Sequence, residues 1–385
     1  MQSFILCLLF GIFPICIHSR IVLDIYHDNS RANSGVSAEN IQTPNQTYDE
    51  ISLVKYLNSE YYGVIKVGKP AREFKVIFDT TWADSWLPSE HCALYELSCM
   101  WHTRYDSRKS STYKEDGRKY ERKGDEISLK GFLSTDDFHL PHLKVANQTF
   151  IEITHMPIMS TILQKADGVI GLAFSSLAVD GTIPFFYNMI RQNIIKQNIF
   201  TFYMNRDPTT PKAGNLILGG TDRSHIKTNL TYLPVIEKKY WTIHMDKILM
   251  KVGNKSYSYC TGGCDAMIDT SSNAIVGPGD IIGKINDMMG AKFVWEYFSY
   301  KYMVDCRTFA KLPPITFVLG GKNFTIESKY YIQHMTAFSA TLCLSPFVAS
   351  TTNSNVWQLG GAFLMQFYTE YDLDRGRIGI AETII

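Results

Sequence analysis

Two stretches decide how this chain is read: Lys75–Pro88, KVIFDTTWADSWLP, and Ala266–Pro278, AMIDTSSNAIVGP. Each runs from apolar residues into Asp-Thr, crosses small or polar residues, and returns to apolar residues ending in Pro. An apolar run halted by Asp-Thr predicts a buried strand that stops in a turn. Working outward, an apolar-Gly element follows each stretch. Val169-Ile170-Gly171 ends 92 residues after Asp79, and Gln358-Leu359-Gly360 ends 91 residues after Asp269. Two matches at equal spacing imply two halves of similar fold, each placing one Asp on a turn after a buried strand.

A single Asp after a strand is ordinarily a turn former. Duplication changes that reading, because two such turns can meet at a shared interface. Two carboxylates a few ångströms apart cannot both ionise, so they share a proton. The ionised member can act as base on a water while the protonated member polarises a carbonyl. The titration then belongs to the pair. Such a pair hydrolyses peptides without a covalent intermediate.

The rest of the chain agrees with a large exported β protein. From Ile51 onward, short β-branched and aromatic runs recur between Gly, Pro, Asn and Asp, as in Tyr62–Val67, Phe200–Met204, Ile315–Leu319 and Arg377–Ile380. That pattern predicts mainly strand. Ile183–Asn193 and Pro278–Met289 are the better helix candidates. Across 385 residues, 38 Lys plus Arg balance 37 Asp plus Glu. The near-neutral total excludes a nucleic-acid footprint and a polybasic membrane tail. The 13% aromatic content excludes a disordered chain.

Phe4–Ile17 is apolar and followed by His18-Ser19, so residues 1–19 read as a signal peptide, and no stretch is long enough to span a membrane. Cys7 and Cys16 leave with it. Cys92, Cys99, Cys260, Cys264, Cys306 and Cys343 remain, an even set that favours disulfides over zinc in an exported chain. Neighbour pairing (92–99, 260–264, 306–343) closes small loops and is the expected arrangement. Sequons at Asn45, Asn147, Asn229, Asn254 and Asn323 add the expectation of a glycoprotein. His139-x-x-His142 lacks a nearby third ligand and reads as a hairpin surface; no metal or cofactor is expected.

These residues resemble the pepsin-like aspartic peptidases over nearly all of residues 51–385. Tyr61–Ile65 and Gly68–Ala71 look like the family's opening strands, and Phe74–Ser89, with Trp86, like its first active-site segment. Ser110–Tyr113 matches the stretch before the flap, Ala166–Phe174 and Leu216–Gly220 match further signatures, and Cys264–Pro278 matches the second active-site segment. The shared-proton dyad is itself best known from pepsin. The resemblance implies a mainly β, bilobal fold, with an N-terminal lobe over 51–235, a C-terminal lobe over 236–385 and a cleft between them for an extended peptide. It implies Asp79 and Asp269 at the cleft floor, Thr80 and Thr270 cross-bonding their loops, a prosegment over 20–50, a flap after Tyr113, and disulfides in the pairing above. A monomer that follows the secretory pathway to the exterior or the lysosome is expected.

The sequence also departs from that family. Its Asp-Thr-Gly-Ser/Thr motif becomes Asp79-Thr80-Thr81-Trp82 and Asp269-Thr270-Ser271-Ser272. Both glycines are lost, and Thr81 and Ser271 add a Cβ and a hydroxyl beside the dyad. Trp82 replaces a hydroxyl that serves the outer oxygen of Asp79, whereas Ser272 keeps its counterpart. Gly124 stands where the flap Tyr belongs, with Tyr120 the nearest substitute. The flap tip, Arg122 included, is heavily charged and reads as a solvated hairpin, which still removes a device that closes over substrate. The segment 20–49 has no Lys, and Leu359-Gly360-Gly361 replaces Leu-Gly-Asp. Each lost preorganising contact can cost roughly 10²–10³-fold in rate. The expectation is therefore a pepsin-like pseudoprotease, weak or inactive in proteolysis, that binds peptide or another ligand in its cleft. It resembles degenerate arthropod members such as the pepsin-like cockroach allergen. The alternative is a working acid endopeptidase, lysosomal or digestive.

Overall fold

The computed structural model describes residues 47–56, 60–123, 128–156, 164–179, 181–205, 212–296, 299–337, 340–352 and 355–384. The signal peptide, all of the presumed prosegment before residue 47, Asn45 and Gly124 lie outside the described residues. The remainder is mainly strand. The predicted helices appear as Phe185–Arg191 and Gly279–Met288. Among the described residues no helix is long and apolar enough to cross a membrane.

The duplication read from the sequence is a structural one. Strand Arg72–Asp79 pairs in parallel with Gly168–Gly171, Ile77 opposite Val169. Strand Cys264–Ile268 pairs in parallel with Trp357–Leu359, Met267 opposite Gln358. Both pairs carry the buried apolar residues that a parallel pair covered on both faces requires. The glycine closing each element has a steric reason. A Cβ on Gly171 would meet the Ala83 carbonyl oxygen at 2.4 Å, and one on Gly360 the Ser272 carbonyl oxygen at 2.3 Å. The chain beyond each aspartate passes directly over these glycines, which is why the apolar-Gly elements recur at matched distance.

The two halves are joined beneath the aspartates by one sheet. Its first-half strands Asp49–Tyr56, Lys212–Leu218 and Ile199–Met204 are continued by Phe367–Asp372 and Arg377–Glu382 from the end of the chain. Phe200 lies opposite Tyr371 in that register. Their rings stack at 4.6 Å, and Trp241 packs on both at 5.5 and 5.1 Å. The Trp241 indole N–H donates to the Leu172 carbonyl at 2.9 Å, tying this aromatic core to the segment that follows Gly171. The second half adds a sheet holding Cys264–Ile268 and two four-stranded sheets.

Disulfides join Cys92 to Cys99, Cys260 to Cys264 and Cys306 to Cys343, as neighbour pairing anticipates. Asn147, Asn229, Asn254 and Asn323 are all exposed.

Candidate active site

Asp79 ends its strand and Asp269 follows its own, and both side chains are enclosed, at 4% and 1% exposure. The loops that carry them are locked by a reciprocal pair. The Thr80 N–H donates to Thr270 Oγ1, and the Thr270 N–H donates to Thr80 Oγ1, both at 3.1 Å. Each hydroxyl then donates across the interface: Thr80 Oγ1 to the Ile268 carbonyl at 2.8 Å, and Thr270 Oγ1 to the Phe78 carbonyl at 2.6 Å. Threonine supplies both a donor and an acceptor from one short buried side chain, so each loop satisfies the other's backbone.

The residues in the glycine positions do more than add bulk. Thr81 donates its N–H and its hydroxyl to Asp79 Oδ1, each at 2.6 Å. Ser271 does the same to Asp269 Oδ1, at 2.8 and 2.7 Å. Neither residue takes left-handed backbone, so losing glycine imposes no conformational strain. The sequence places a Cβ and a hydroxyl beside the dyad at each position, and the structure turns each hydroxyl into a donor to the carboxylate it borders.

The outer side of the dyad is asymmetric. The Gln358 amide Nε2 donates to Asp269 Oδ2. Ser272 Oγ instead accepts the Ala274 N–H at 3.1 Å. On the Asp79 side stands Trp82, half-buried, with the Arg122 guanidinium 4.0 Å above its ring. Such a contact is worth about 0.5–1 kcal/mol where exposed. Arg122 comes from the hairpin formed by Lys114–Lys123 and Ser128–His139. Tyr120, opposite Gly131 in that hairpin, packs beside Trp82. Together Thr81, Trp82, Tyr120, Arg122, Val179 and Tyr240 line a cavity of about 430 Å³. Trp86 is buried nearby, and its indole N–H has no partner among the described residues.

Burial pushes the Asp79 carboxyl up, and repulsion from Asp269 adds to it, reaching about 7 against the Thr81 hydroxyl and N–H and the Ser271 hydroxyl. Burial raises Asp269 too, opposed by the Ser271 hydroxyl and N–H, the Gln358 amide and the Ser272 N–H. Two enclosed carboxyls of this kind hold a proton between them well above the ordinary carboxylate range.

Sequence reasoning reached Asp79, Asp269, Thr80, Thr270, Thr81, Trp82, Ser271 and Ser272, and all lie on these two loops. It missed Gln358, seen only as part of an apolar-Gly element. The available signal was the duplication itself, because the matching position in the first half is Val169.

Comparison with known proteins agrees with this geometry. A family model described as eukaryotic aspartyl protease matches residues 60–383. The chain is 37% identical to cathepsin D of Gallus gallus over 335 residues, covering 86% of this chain and 83% of that protein. It is 36% identical to cathepsin D of Chionodraco hamatus over 359 residues, covering 92% and 88%. It is 36% identical to cathepsin D of Homo sapiens over 344 residues, covering 86% and 82%.

Proposed function

This chain belongs to the eukaryotic aspartyl protease family, and from that premise we propose that it holds extended peptides in its cleft while hydrolysing them slowly or not at all. The observation that carries this reading is a count of acceptor sites. An ionised carboxylate offers about two lone-pair directions per oxygen. Thr81 fills both on Asp79 Oδ1, and Ser271 fills both on Asp269 Oδ1. Gln358 takes one on Asp269 Oδ2. A water shared between the aspartates needs an acceptor to take its proton as it attacks. Here the loops' own donors leave only Oδ2 of each aspartate to accept from a water and draw charge away from the pair, and Trp82 stands on the Asp79 side.

What remains suits binding. The paired threonines tie the two loops of the floor together, and the cavity beside Trp82 and Tyr120 offers aromatic rings among the charged groups of Asp84, Glu121 and Arg122. The apolar leader of the sequence, the three disulfides and the exposed sequons support passage of a glycoprotein through the secretory pathway to the exterior or the lysosome; a monomer with lobes over 51–235 and 236–385 is part of the same proposal.

The second reading, an acid endopeptidase, is favoured by the intact reciprocal threonines and by a dyad that shares a proton above the usual carboxylate range. Two measurements separate them. Calorimetry with pepstatin, a peptide that is not cleaved, should show binding at acid pH. Turnover of a denatured protein across about pH 3 to 6 should stay near background. Turnover that disappears in both Asp79→Ala and Asp269→Ala would establish the endopeptidase instead.

A further inference from the structure

The two halves offer an internal control for every residue near the dyad. Asp79 receives the N–H and hydroxyl of Thr81, and Asp269 receives the N–H and hydroxyl of Ser271, on the same oxygen of each carboxylate. The Gln358 amide is the side-chain donor that has no counterpart. Its strand position corresponds to that of Val169, since each lies opposite the residue two before its aspartate, Met267 and Ile77. Val169 has no donor to offer and packs in an apolar cluster with Ile77 and Trp86. Gln358 is half-buried and reaches Asp269 Oδ2.

We infer that Gln358 is a positioning residue that settles where the dyad's proton resides, holding Asp269 as the carboxylate and leaving Asp79 as the acid. A hydrogen bond from an amide N–H favours the ionised form of the carboxyl that accepts it. The Ser271 hydroxyl also reaches toward Asp79 and the Ser272 N–H toward Asp269, one extra donor each, so the Gln358 amide on Asp269 Oδ2 tips the balance in favour of charge on Asp269. Of the charged and titratable groups near the pair, the Arg122 guanidinium pulls toward charge on Asp79, but it stands beyond the Trp82 ring and is not among the leading influences on that carboxyl. Asp79 and Asp269 face each other, the buried Tyr371 phenol lies near Asp269, and Arg122 sits over Trp82 beside the Asp79 loop. Whatever binds at the floor therefore meets a hydrogen-bond donor on the Asp79 side and an acceptor on the Asp269 side. This inference goes beyond peptide binding and does not need turnover to be tested.

The experiment is a carbon-13 carboxyl titration of the whole protein labelled in aspartate, with Asp79→Asn and Asp269→Asn used to assign the two resonances. In the unaltered protein the Asp269 carboxyl should ionise first as pH rises. In Gln358→Val, which copies the first half, and in the near-isosteric Gln358→Met, the Asp269 midpoint should rise by about one pH unit. A midpoint unchanged in both variants would overturn the inference. So would a fall, which would mean that the amide carbonyl faces a protonated Asp269. Because the readout is the carboxyl itself, failure of pepstatin to bind would remove the proposed function and leave this result standing.

Discussion

The two aspartate loops are near copies on the inside and different on the outside. Inside, the same four threonine bonds cross between them, and a Thr or Ser hydroxyl joins a backbone N–H on Oδ1 of each carboxylate. Outside, the first loop is bordered by Trp82 under Arg122, and the second by Gln358 and a Ser272 engaged with its own turn. The inner shell holds the fold together where the two halves meet. The outer shell faces the cleft and decides what the pair can do. Departures on the two sides therefore carry different consequences; of the inner contacts, the threonine bonds at 80 and 270 join the halves, while the hydroxyls at 81 and 271 touch the carboxylates themselves and bear on chemistry.

The inner symmetry can be broken directly. Thr80→Val leaves the Thr270 N–H and the Ile268 carbonyl without partners, and Thr270→Val leaves the Thr80 N–H and the Phe78 carbonyl so. Buried groups of this kind cost about 1–3 kcal/mol each when unsatisfied. Each variant should lose about 3 kcal/mol by denaturant unfolding, and the two losses should agree. A large loss in one alone would mean that the two loops are not equivalent supports.

The asymmetry of charge has a more graded signature. In the folded chain Asp79 keeps its proton up to about 7, against 3.8 for the ordinary group. Below the ordinary value both folded and unfolded chains are protonated there, and the stabilising preference is complete. As pH rises through the window between the two values, the unfolded chain releases the proton first, so stability falls and then levels off. Asp49, Glu60, Asp84 and Glu152, all pushed up by burial, add slopes of the same sign. Asp79→Asn should make the decline in melting temperature from acid to neutral pH shallower than in the unaltered protein. An identical decline would mean that Asp79 ionises at the same pH in the folded and unfolded chains.

Much of this was legible in the sequence because it rests on local pattern. Buried strands ending in Asp-Thr, glycines that the next turn must pass over, and cysteines spaced for short bridges leave marks that a linear reading detects. The reciprocal threonines were legible through the resemblance to the pepsin-like family, not from local pattern. What escaped depended on side-chain direction across the fold. Thr81 and Ser271 read as an added Cβ and hydroxyl beside the dyad, and rotation about one bond turns each hydroxyl onto its own carboxylate. Gln358 read as strand filler because its partner lies 89 residues away. Arg122 read as part of a solvated charged hairpin, and only the packing of that hairpin sets it over Trp82.

The central claim is that hydroxyls at positions 81 and 271 fill the acceptor sites on one oxygen of each aspartate and so weaken the pair as a base toward water. The most direct measurement is acid proteolysis by the paired variant Thr81→Gly/Ser271→Gly beside the unaltered protein. The account predicts turnover near background in the unaltered protein and a rise of about 10²-fold in the variant, abolished by adding Asp269→Ala. Efficient turnover by the unaltered protein that the two glycines leave unchanged would contradict it.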